Sequence, residues 1–569
     1  MCVMKRILLI LGVISFVLCF NVSLFAQQNE SELANKIDEY AQQVMKTWQL
    51  PGFAMAVSVD NKVIFKKGYG VKELRPANGV GFQGVRFDEC KMTQAGVKPV
   101  VNNPGDPINT TTVFQIASIS KSFTATVMAQ LVNEGKFKWT DTVKNILPDF
   151  QMFKNNDYVT NNMLVRDAML HATGLVDEAG TYFGNLGYDR DETYTMLGLL
   201  EPGFSFRSAY DYNNITFVIC SKIIEKFTGK SWEENVRERV FKPLGMNSSS
   251  MNADGYANSK DVATPHDYEY VGGGKSITPP LYGDEQALNW LTVIGPAGSL
   301  CSTAEDLIKY AQFHCNDGYI VNRNSEGKVV DTTFIMPRKA MLPLHRGYTI
   351  TSQDSSMVRL YGMCWFIEQN HNYRLLFHTG TAWGMTAICY YVPEYKIAGV
   401  VLVNSEVTAY PRYSIMRRVI DLVRGAEEPL KDWSMDYWKE YTEYREKVIK
   451  ERNSKPKPKV EPEVADNKIF AGIYTKEAPF GDIIITWEKG KLFHQPAKYK
   501  DVKEWKKPLK HKSGTTYTFR SDGHGFEVTF VMENGKVVGL NQEFGEREEK
   551  AFGGWTRKTL TGKLVGQTK

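Results

Sequence analysis

The sequence predicts an α/β layered domain, built from an antiparallel sheet and a helical region, followed by a small all-β barrel domain. Two observations lead to this prediction. Strand-like runs lie near both ends of residues 30–425, with helical periodicity between them, which indicates a sheet built from both termini of one domain. From Ile469 onward, short alternating runs recur between turn signals such as Glu533-Asn534-Gly535, which is typical of a small barrel or sandwich.

The predicted α/β domain starts with a helix and a hairpin. Residues 30–48 carry a stripe of apolar side chains at helical spacing, and Pro51-Gly52 ends that helix. The runs Phe53–Val59 and Val63–Phe65 flank Asp60-Asn61, whose residue types favour a tight turn. We therefore expect these two runs to pair.

Helices are expected in the middle of this domain and strands near its end. Residues 71–110 are rich in Gly, Pro and Asn and are interpreted as a long excursion before the first helix. Residues 111–320 are mostly helical, cut by Gly and Pro. Three strands and a helix near 411–424 then follow, the strands being Arg374–Phe377, Ile388–Val392 and Ile397–Val403.

The first 26 residues have the features of a secretory signal peptide. Lys5 and Arg6 precede an apolar run from Ile7 to Phe25, and a polar stretch begins after Ala26. The protein is therefore expected to be exported, to the periplasm or outside the cell. Because the run approaches the roughly 20 residues that a membrane span needs, an uncleaved anchor stays the alternative. The membrane is an expected partner only in that case.

Composition divides the rest of the chain into three parts. The α/β domain is expected over residues 27–428, and the β domain over 465–569. Between them, residues 429–464 contain a charged helix and a linker rich in Lys and Pro. The prolines of that linker, Pro456 and Pro458 among them, forbid a regular helix and favour an extended spacer.

Composition and missing motifs also argue against several function classes. The net charge of +5 is small and the basic residues are interleaved with acidic ones, so nucleic acid is not an expected partner. The eight cysteines have irregular spacing without Cys-x-x-Cys, which argues against a zinc ribbon or a redox motif and assigns no disulfide. Neither His-Glu-x-x-His nor Gly-x-Ser-x-Gly occurs, so the commonest zinc-protease and α/β-hydrolase sites are not indicated. No metal or other cofactor is expected.

The strongest catalytic candidates are Ser118 and Lys121, which open an apolar, helix-like run. Three residues is about one helical turn, so both side chains lie on one face and can touch. A serine hydroxyl needs an adjacent base, and a lysine serves as one when burial or a cation lowers its pKa. Two further Ser-x-x-Lys copies, at Ser325 and Ser454, lie in a polar loop and in the linker, so neither is expected to be catalytic.

Tyr212-Asn213-Asn214 precedes a second apolar run, Ile215–Phe227, and is predicted to open another buried helix. A tyrosine near a lysine can exchange protons with a serine hydroxyl, and its pKa of about 10 falls when a cation is close. The amide of Asn214 has the donor and the acceptor to hold a lysine amine or a substrate amide. The simpler interpretation, in which Tyr212 packs and Asn214 caps the helix, stays open from these residues alone.

His378-Thr379-Gly380 is predicted to end the apolar strand Leu375–Phe377. Glycine there lets a substrate backbone approach the strand edge, and His378 is a candidate to bind a substrate carboxylate or to assist proton transfer. The N–H of Thr381 is a candidate partner for that of Ser118 in an oxyanion hole. A histidine that is only packed or solvated is the alternative.

Two further phrases are interpreted as structural. His171, in Leu170-His-Ala-Thr-Gly174, is expected in a turn where its imidazole bonds to backbone. The stretch Gly295–Asp306 has the residue types of a glycine-rich turn that leads into a capped helix near the site.

Taken in order, Ser118-x-x-Lys121, Tyr212-x-Asn214 and His378-x-Gly380 resemble the motifs of the serine β-lactamase and penicillin-binding protein family. The resemblance is greatest to its class C-like branch, with D-Ala-D-Ala carboxypeptidases, D-aminopeptidases and esterases. It spans about residues 30–425 and implies a β-lactamase/transpeptidase-like fold there. The tail near 465–560 resembles, more loosely, the lipocalin-like barrel that some members append.

The resemblance implies a serine hydrolase that cleaves a peptide, amide or ester bond through a covalent acyl-enzyme, without a metal. Ser118 would be the nucleophile, Lys121 its base, and Tyr212 the group that passes the proton to the leaving group. The residues implied in substrate binding are Asn214, His378, Gly380 and Thr381.

One departure from the family pattern bears on the substrate. True β-lactamases usually carry lysine where His378 stands, so the histidine favours a peptidase or esterase. A true β-lactamase, and a non-catalytic penicillin-binding or cell-wall sensor protein on the same fold, stay alternatives.

The excursion at 71–110 is longer than the family pattern implies and is expected to form one side of the substrate cleft. The tail is expected to be a rigid cover or an oligomerisation surface, with binding of a small apolar ligand or a partner as the alternative.

Overall fold

The computed structural model describes residues 30–73, 105–251, 259, 261–266, 269–271, 274–276, 285–324, 327–382, 384–406, 408–454, 456, 459–477, 479–521, 524–542 and 555–557. The predicted leader, most of the 71–110 excursion and Cys90 lie outside these residues. Among the helices in these ranges, none has both the length and the apolar character that crossing a bilayer requires.

An eight-stranded antiparallel sheet is the centre of the first part of the chain. Its strands are β1 Gly52–Val59, β2 Lys62–Gly70, β3 Thr349–Gln353, β4 Val358–Tyr361, β5 Phe366–Gln369, β6 Arg374–Ala382, β7 Met385–Val392 and β8 Ile397–Val403. The spatial order is β3-β4-β5-β6-β7-β8-β1-β2, so the N-terminal hairpin pairs with the last strand along the chain. The sheet is therefore built from both ends of the domain, as the sequence predicts.

The hairpin between β1 and β2 forms where its turn residues indicate. Asp60 and Asn61 have φ angles of 47° and 64°, the left-handed conformation that a tight hairpin turn requires at both central positions. Asn and Asp tolerate that conformation better than other residues with a side chain.

The main helices are α1 at 30–48, α2 Ser120–Asn133, α3 Phe217–Thr228, α4 Glu285–Val293, α5 Ala304–Cys315, α6 Tyr410–Val423 and α7 Trp433–Ser454. Shorter helices fill the middle region at Val143–Ile146, Asp157–Asn162, Arg190–Met196, Trp232–Val236, Lys242–Leu244, Gly295–Gly298 and Arg338–Met341.

Helices cover both faces of the sheet, which gives a three-layer arrangement. Side chains alternate between the two faces along β1, because successive residues of a strand point to opposite sides. Phe53, Met55 and Val57 pack into the apolar cluster that α1 and α6 share with the sheet. Ala54 and Ala56 face the other cluster, to which α2, α3 and α5 contribute. The small side chains of β1 therefore lie toward the helical region.

The C-terminal part is a nine-stranded antiparallel sheet. Its strands are β9 Gly472–Thr475, β10 Ile483–Glu488, β11 Lys491–Pro496, β12 Lys507–Pro508, β13 Lys510–Ser513, β14 Thr516–Ser521, β15 His524–Glu533, β16 Lys536–Gln542 and β17 Trp555–Arg557. The order is β12-β11-β10-β9-β17-β16-β15-β14-β13. The two end strands are joined in the chain by Leu509, yet within the described strands no ladder pairs them. The predicted all-β domain is confirmed, but the described strands form an antiparallel sheet whose end strands are not paired to each other, so they do not close into a barrel.

Most predicted elements are confirmed, with two departures in the main sheet. The short strands β3, β4 and β5 are not predicted from the sequence, because each spans only four or five residues and mixes polar with apolar side chains. His378-Thr379-Gly380 does not end a strand but lies inside β6, which continues to Ala382. The described cysteines Cys220, Cys301, Cys315, Cys364 and Cys389 are free thiols.

Candidate active site

Ser118 lies in a single turn of 3₁₀ helix, Ala117–Ile119, that joins the short strand Phe114–Gln115 to the start of α2. Ala117 has a φ of 45°, in the left-handed region that a residue with a Cβ adopts only when its surroundings hold it there. Ser118 is partly exposed, whereas Ala117 and Ile119 are buried. The turn thus presents the serine hydroxyl just before the buried helix. Ser118 was expected to open that helix, but α2 begins two residues later, at Ser120.

Lys121 is fully buried, and its amine is held at three points. Its Nζ lies 3.0 Å from Ser118 Oγ, 2.6 Å from Asn214 Oδ1 and 3.1 Å from the carbonyl oxygen of Ala297. Ala297 belongs to the short helix in the glycine-rich stretch that the sequence places near the site. The contact between Ser118 and Lys121 is the one that their spacing predicts.

The surroundings of Lys121 set its charge. Burial lowers the pKa of Lys121 to about 7, because the charged amine loses its hydration, and the carboxylate of Glu178 opposes this by raising the pKa. An uncharged lysine is therefore well populated near neutral pH. Its nitrogen then keeps two N–H groups for Asn214 and Ala297 and has a lone pair for the Ser118 hydroxyl.

The structure also brings Tyr212 to this pair. The Lys121 amine lies 4.6 Å from the centre of the Tyr212 ring. Burial raises the pKa of Tyr212 well above its ordinary value, while interaction with the nearby Ser118 side chain lowers it to a smaller extent. The expectation that the lysine lowers this pKa is wrong, since burial outweighs it. Tyr212 is accordingly a neutral phenol at neutral pH.

Asn214 links the lysine to an acidic residue. Besides accepting from Lys121, its Nδ2 donates to Glu178 Oε2 at 3.0 Å and to Thr181 Oγ1 at 3.3 Å. Because α3 begins only at Phe217, Asn214 holds the lysine amine rather than capping that helix. Of the two roles expected for its amide, this structure contains the first.

Strand β6 passes directly against the turn of Ser118. A Cβ on Gly380 would lie 2.0 Å from the carbonyl oxygen of Ile116, so only glycine permits this approach. In the described ladders, β5 pairs with β6 only as far as Phe377, and β7 alone continues beside it to Ala382. One edge of this part of β6 is therefore open to an extended segment.

Arg412 fixes the direction of the peptide groups at this edge. Its buried guanidinium donates through Nη1 to the carbonyls of Gly380, at 2.7 Å, and of Ala387, at 2.5 Å. The Gly380 carbonyl thus points toward β7. The N–H of Thr381 leaves the same trans peptide in the opposite direction, toward the open edge. This is the direction that the predicted oxyanion hole with Ser118 requires, although that pairing itself stays a prediction.

His378 is buried and both of its ring nitrogens have protein partners. Nδ1 lies 2.7 Å from the Thr379 carbonyl oxygen, and Nε2 lies 3.0 Å from the Tyr361 hydroxyl. That hydroxyl also lies 3.2 Å from Nε2 of His171, whose Nδ1 accepts from the backbone N–H of Asn213 at 3.1 Å. The His171 imidazole thus bonds to backbone, as expected. The predicted substrate contact of His378 would require one of its present hydrogen bonds to break.

Both histidines are uncharged at neutral pH. Burial and the nearby Lys121 lower the pKa of His378 to about 3, against the smaller opposite effect of its bond to Thr379. The same two causes, with His378 in addition, hold the pKa of His171 well below its ordinary value. His171 also packs on the Tyr212 ring, with centroids 4.3 Å apart. The two histidines therefore connect β6 with Tyr212 without adding charge to the site.

Three residues of this site were missed from the sequence, namely Glu178, Tyr361 and Arg412. Each acts through a contact with a residue distant in the chain, and none belongs to a local motif. Among the residues described, no group of three or more His, Cys, Asp or Glu side chains is arranged to hold a metal ion.

The family described as Beta-lactamase matches residues 37–421 of this chain. Among curated proteins, the unguisins hydrolase ungD' of Aspergillus campestris is 24% identical over 469 residues, which cover 79% of this chain and 77% of that protein. Penicillin-binding protein 4 of Amycolatopsis lactamdurans is 25% identical over 334 residues, covering 57% of this chain and 81% of that protein.

Solved structures show the same fold at low sequence identity. The octameric penicillin-binding protein homologue from Pyrococcus abyssi has a TM-score of 0.51 and 20% identity, covering 90% of this chain and 98% of that one. A class C beta-lactamase has a TM-score of 0.50 and 17% identity, with coverages of 71% and 98%. The family match spans more than half of the chain, so the resemblance seen in the motifs is confirmed, and the protein belongs to the beta-lactamase family of serine hydrolase-like proteins.

Proposed function

We propose that this protein is an exported serine hydrolase that cleaves a peptide, amide or ester bond through a covalent acyl-Ser118 intermediate. The observation that carries the proposal is the 3.0 Å approach of Lys121 Nζ to Ser118 Oγ, in surroundings that bring the lysine pKa to about 7. A base with a pKa near the working pH is the most effective general base.

This geometry supports the following route for acylation. Neutral Lys121 takes the hydroxyl proton while Ser118 Oγ forms a bond to the substrate carbonyl carbon, and the carbonyl electron pair moves onto oxygen. The N–H groups of Ser118 and Thr381 are the proposed donors to that oxyanion, a contribution typically worth about 10²–10³ in rate for one donor.

Collapse of the tetrahedral intermediate needs a proton for the leaving group. Tyr212 keeps its proton at neutral pH because burial raises its pKa, and its side chain is near enough to Ser118 for that serine to influence the pKa. We assign Tyr212 as the donor to the departing nitrogen or oxygen, and protonated Lys121 as the group that replaces that proton. In deacylation a water molecule gives its proton to this pair, attacks the ester carbon, and Ser118 recovers its proton.

Several features bear on the substrate and on export. The open edge of β6 suits an extended, peptide-like acyl group. A relative named as a hydrolase supports hydrolysis rather than binding alone. His378, in place of the lysine that true β-lactamases carry, favours peptide, amide or ester substrates over β-lactams. Export rests on the leader over residues 1–26.

The test is active-site labelling followed by substrate profiling. A fluorophosphonate or penicillin probe should label Ser118, and Ser118→Ala should abolish both label and turnover. Ser454→Ala is the matched control, because Ser454 belongs to another Ser-x-x-Lys stretch and its hydroxyl donates to the Glu451 carbonyl. D-Ala-D-Ala peptides, p-nitrophenyl esters and nitrocefin should then be compared as substrates.

The outcomes separate the candidate functions. Absence of label on Ser118 would contradict the proposed mechanism. Rapid labelling without turnover of any substrate would instead support the non-catalytic penicillin-binding alternative, and preferential turnover of nitrocefin would support a true β-lactamase.

A further inference from the structure

One segment of the chain forms a wall beside the proposed catalytic residues. This wall segment, residues 178–188, begins at Glu178, whose backbone N–H donates to the Tyr212 carbonyl at 3.1 Å. The Glu178 and Thr181 side chains both accept from Asn214 Nδ2. The wall segment therefore contacts the two residues that adjoin the Ser118–Lys121 pair.

The opposite end of the wall segment contacts the C-terminal sheet. The Tyr188 hydroxyl donates to the Phe480 carbonyl at 3.2 Å, and the Tyr499 hydroxyl donates to the Gly187 carbonyl at 3.1 Å. Just beyond the segment, Lys498 forms an ion pair with Glu192 at 2.6 Å. The two tyrosines thus donate in opposite directions across the same boundary.

Gly187 shows how closely the two parts approach. Its φ is 97°, and a Cβ at this position would lie 2.7 Å from Cε2 of Tyr499. The Tyr499 ring stacks on Trp505 with centroids 4.1 Å apart, so it is itself held in place. Only glycine fits a left-handed conformation against a fixed aromatic ring.

Between its two ends the wall segment is buried and hydrogen-bonded. It contains the 3₁₀ helix Phe183–Leu186, whose residues are all buried. From α4, Trp290 Nε1 donates to the Thr181 carbonyl at 2.7 Å, and Asn289 Nδ2 donates to the Gly184 carbonyl at 2.8 Å. The segment is thus held by α4 as well as by the C-terminal sheet.

A cavity of about 620 Å³ lies beside these contacts, lined from both parts by residues that include Leu186, Tyr188, Phe480 and His494. Packing across the boundary is therefore interrupted there. The two tyrosine hydrogen bonds and the close approach at Gly187 are among the contacts that hold the boundary next to the wall segment.

We propose that the C-terminal sheet positions the active-site wall. Through Tyr188 and Tyr499 it holds the wall segment so that Glu178 and Thr181 keep Asn214, and with it Lys121, in place. Tyr188 and Tyr499 are thus positioning residues, not catalytic ones. This inference rests on the proposed function, since it assigns the C-terminal sheet a part in the reactivity of Ser118.

The test uses the full chain with the double variant Tyr188→Phe/Tyr499→Phe, which removes both hydroxyls and keeps both rings. Hydrogen exchange of residues 178–188 should become faster. Labelling of Ser118 by a fluorophosphonate should slow by between about 2- and 30-fold, the range expected for loss of a coupling contact. Tyr474→Phe is the matched control, because its buried hydroxyl also donates to a backbone carbonyl, that of Phe470, but inside the C-terminal sheet.

Repeating the measurement in a protein that already carries Glu178→Ala separates positioning from general destabilisation. If the tyrosines act through the wall, the double variant should slow labelling much less when Glu178→Ala is already present, since coupled sites are not additive. Unchanged exchange, an equal effect of Tyr474→Phe, or full additivity with Glu178→Ala would each overturn the positioning role. Absence of any label on Ser118 in the unmodified chain would contradict the proposed function as well, whereas unchanged exchange contradicts the positioning role alone.

Discussion

The Tyr361 hydroxyl donates a hydrogen bond to Nε2 of His378, and this direction follows from the rest of the chain of contacts. A backbone carbonyl only accepts, so the contact with Thr379 places the His378 proton on Nδ1 and leaves Nε2 as the acceptor. Tyr361 must then accept from Nε2–H of His171. The Asn213 N–H donates to Nδ1 of His171, which requires that same tautomer.

The two histidines are therefore neutral, in opposite tautomers, and joined by one phenol. Every donor in the chain meets one acceptor, from the backbone near Tyr212 to the backbone of β6. Fully satisfied buried networks of this kind hold side chains in one arrangement. We infer that this network fixes β6 relative to the Tyr212 ring on which His171 packs.

Tyr361→Phe should destabilise the protein. The variant keeps the ring but leaves a donor on His171 and an acceptor on His378 buried without a partner, at a cost of about 1–3 kcal/mol for each. The measurement is the free energy of unfolding, obtained by denaturant titration from the unfolding transition of the domain that contains Tyr361.

Tyr390→Phe is the matched control for this prediction. Tyr390 lies on β7 and is fully buried, and its hydroxyl has no hydrogen-bond partner among the described residues. Its removal should leave stability unchanged or raise it slightly. Equal losses from Tyr361→Phe and Tyr390→Phe would show that the predicted hydrogen-bond network does not exist in solution.

The tautomers give a second prediction, which nitrogen-15 NMR of the histidine rings can check. Between pH 5 and pH 8, His378 should appear as the Nδ1–H tautomer and His171 as the Nε2–H tautomer, and neither should titrate. The reason is that burial and Lys121 lower both pKa values, that of His378 to about 3 and that of His171 well below its ordinary value. Assignment by single replacement with Gln identifies each signal. A midpoint for either ring inside that range would contradict the assignment.

The pair at the centre of the site could be predicted from sequence because its geometry is local. Ser118 and Lys121 are one helical turn apart, so their contact needs only a helix to form, and α2 forms there. The distant partners Tyr212 and Asn214 could be placed beside them only by resemblance to a known family. For His378 the sequence predicts the correct strand, but it could not show that the ring is hydrogen-bonded to the Tyr361 hydroxyl.

Other parts of the site could not be predicted, because their contacts join residues far apart in the chain. His171 and Tyr361 are separated by 190 residues, and Tyr361 lies on a strand of only four residues, which is too short for its pattern to indicate a strand. Glu178 has a φ of 60° in an irregular segment, where no periodicity indicates which way a carboxylate points. In the sequence nothing distinguishes Arg412 from the other residues of its helix. Its hydrogen bond to the Gly380 carbonyl is visible only in the folded structure, where that helix packs on the sheet.

Glu178→Gln should shift the pH dependence of Ser118 reactivity toward lower pH. Lys121 must be uncharged to act as a base, so reactivity should rise with pH through the lysine pKa of about 7. The Glu178 carboxylate raises that pKa, so removing its charge lowers the pKa and leaves more neutral lysine at pH 6. The measurement is the rate of fluorophosphonate labelling from pH 5 to pH 9.

Asp177→Asn is the control for Glu178→Gln. Asp177 is the exposed neighbour in the chain, and its charge raises the pKa of Glu178. The pH midpoint of fluorophosphonate labelling should therefore be close to that of the unmodified protein in Asp177→Asn. A midpoint for Glu178→Gln that moves to higher pH would mean that Glu178 does not raise the lysine pKa.

Gly380→Ala should disable the site through a steric contact. An added Cβ would lie 2.0 Å from the Ile116 carbonyl oxygen and 3.2 Å from the Ala117 Cβ, both in or beside the turn of Ser118. Strand β6 must then move away from that turn, which separates the N–H of Thr381 from that of Ser118. Loss of one oxyanion donor typically costs about 10²–10³ in rate, so labelling should slow by at least about 100-fold.

Gly525→Ala is the matched control for Gly380→Ala, since it makes the same change at a strand position where a Cβ would meet no atom within 4 Å. It should label at the rate of the unmodified protein. Near-normal labelling of Gly380→Ala, in a chain that keeps its thermal unfolding midpoint, would mean that β6 does not need to touch the nucleophile turn. The proposed oxyanion hole would then have to use another donor, because Thr381 reaches Ser118 only through that contact.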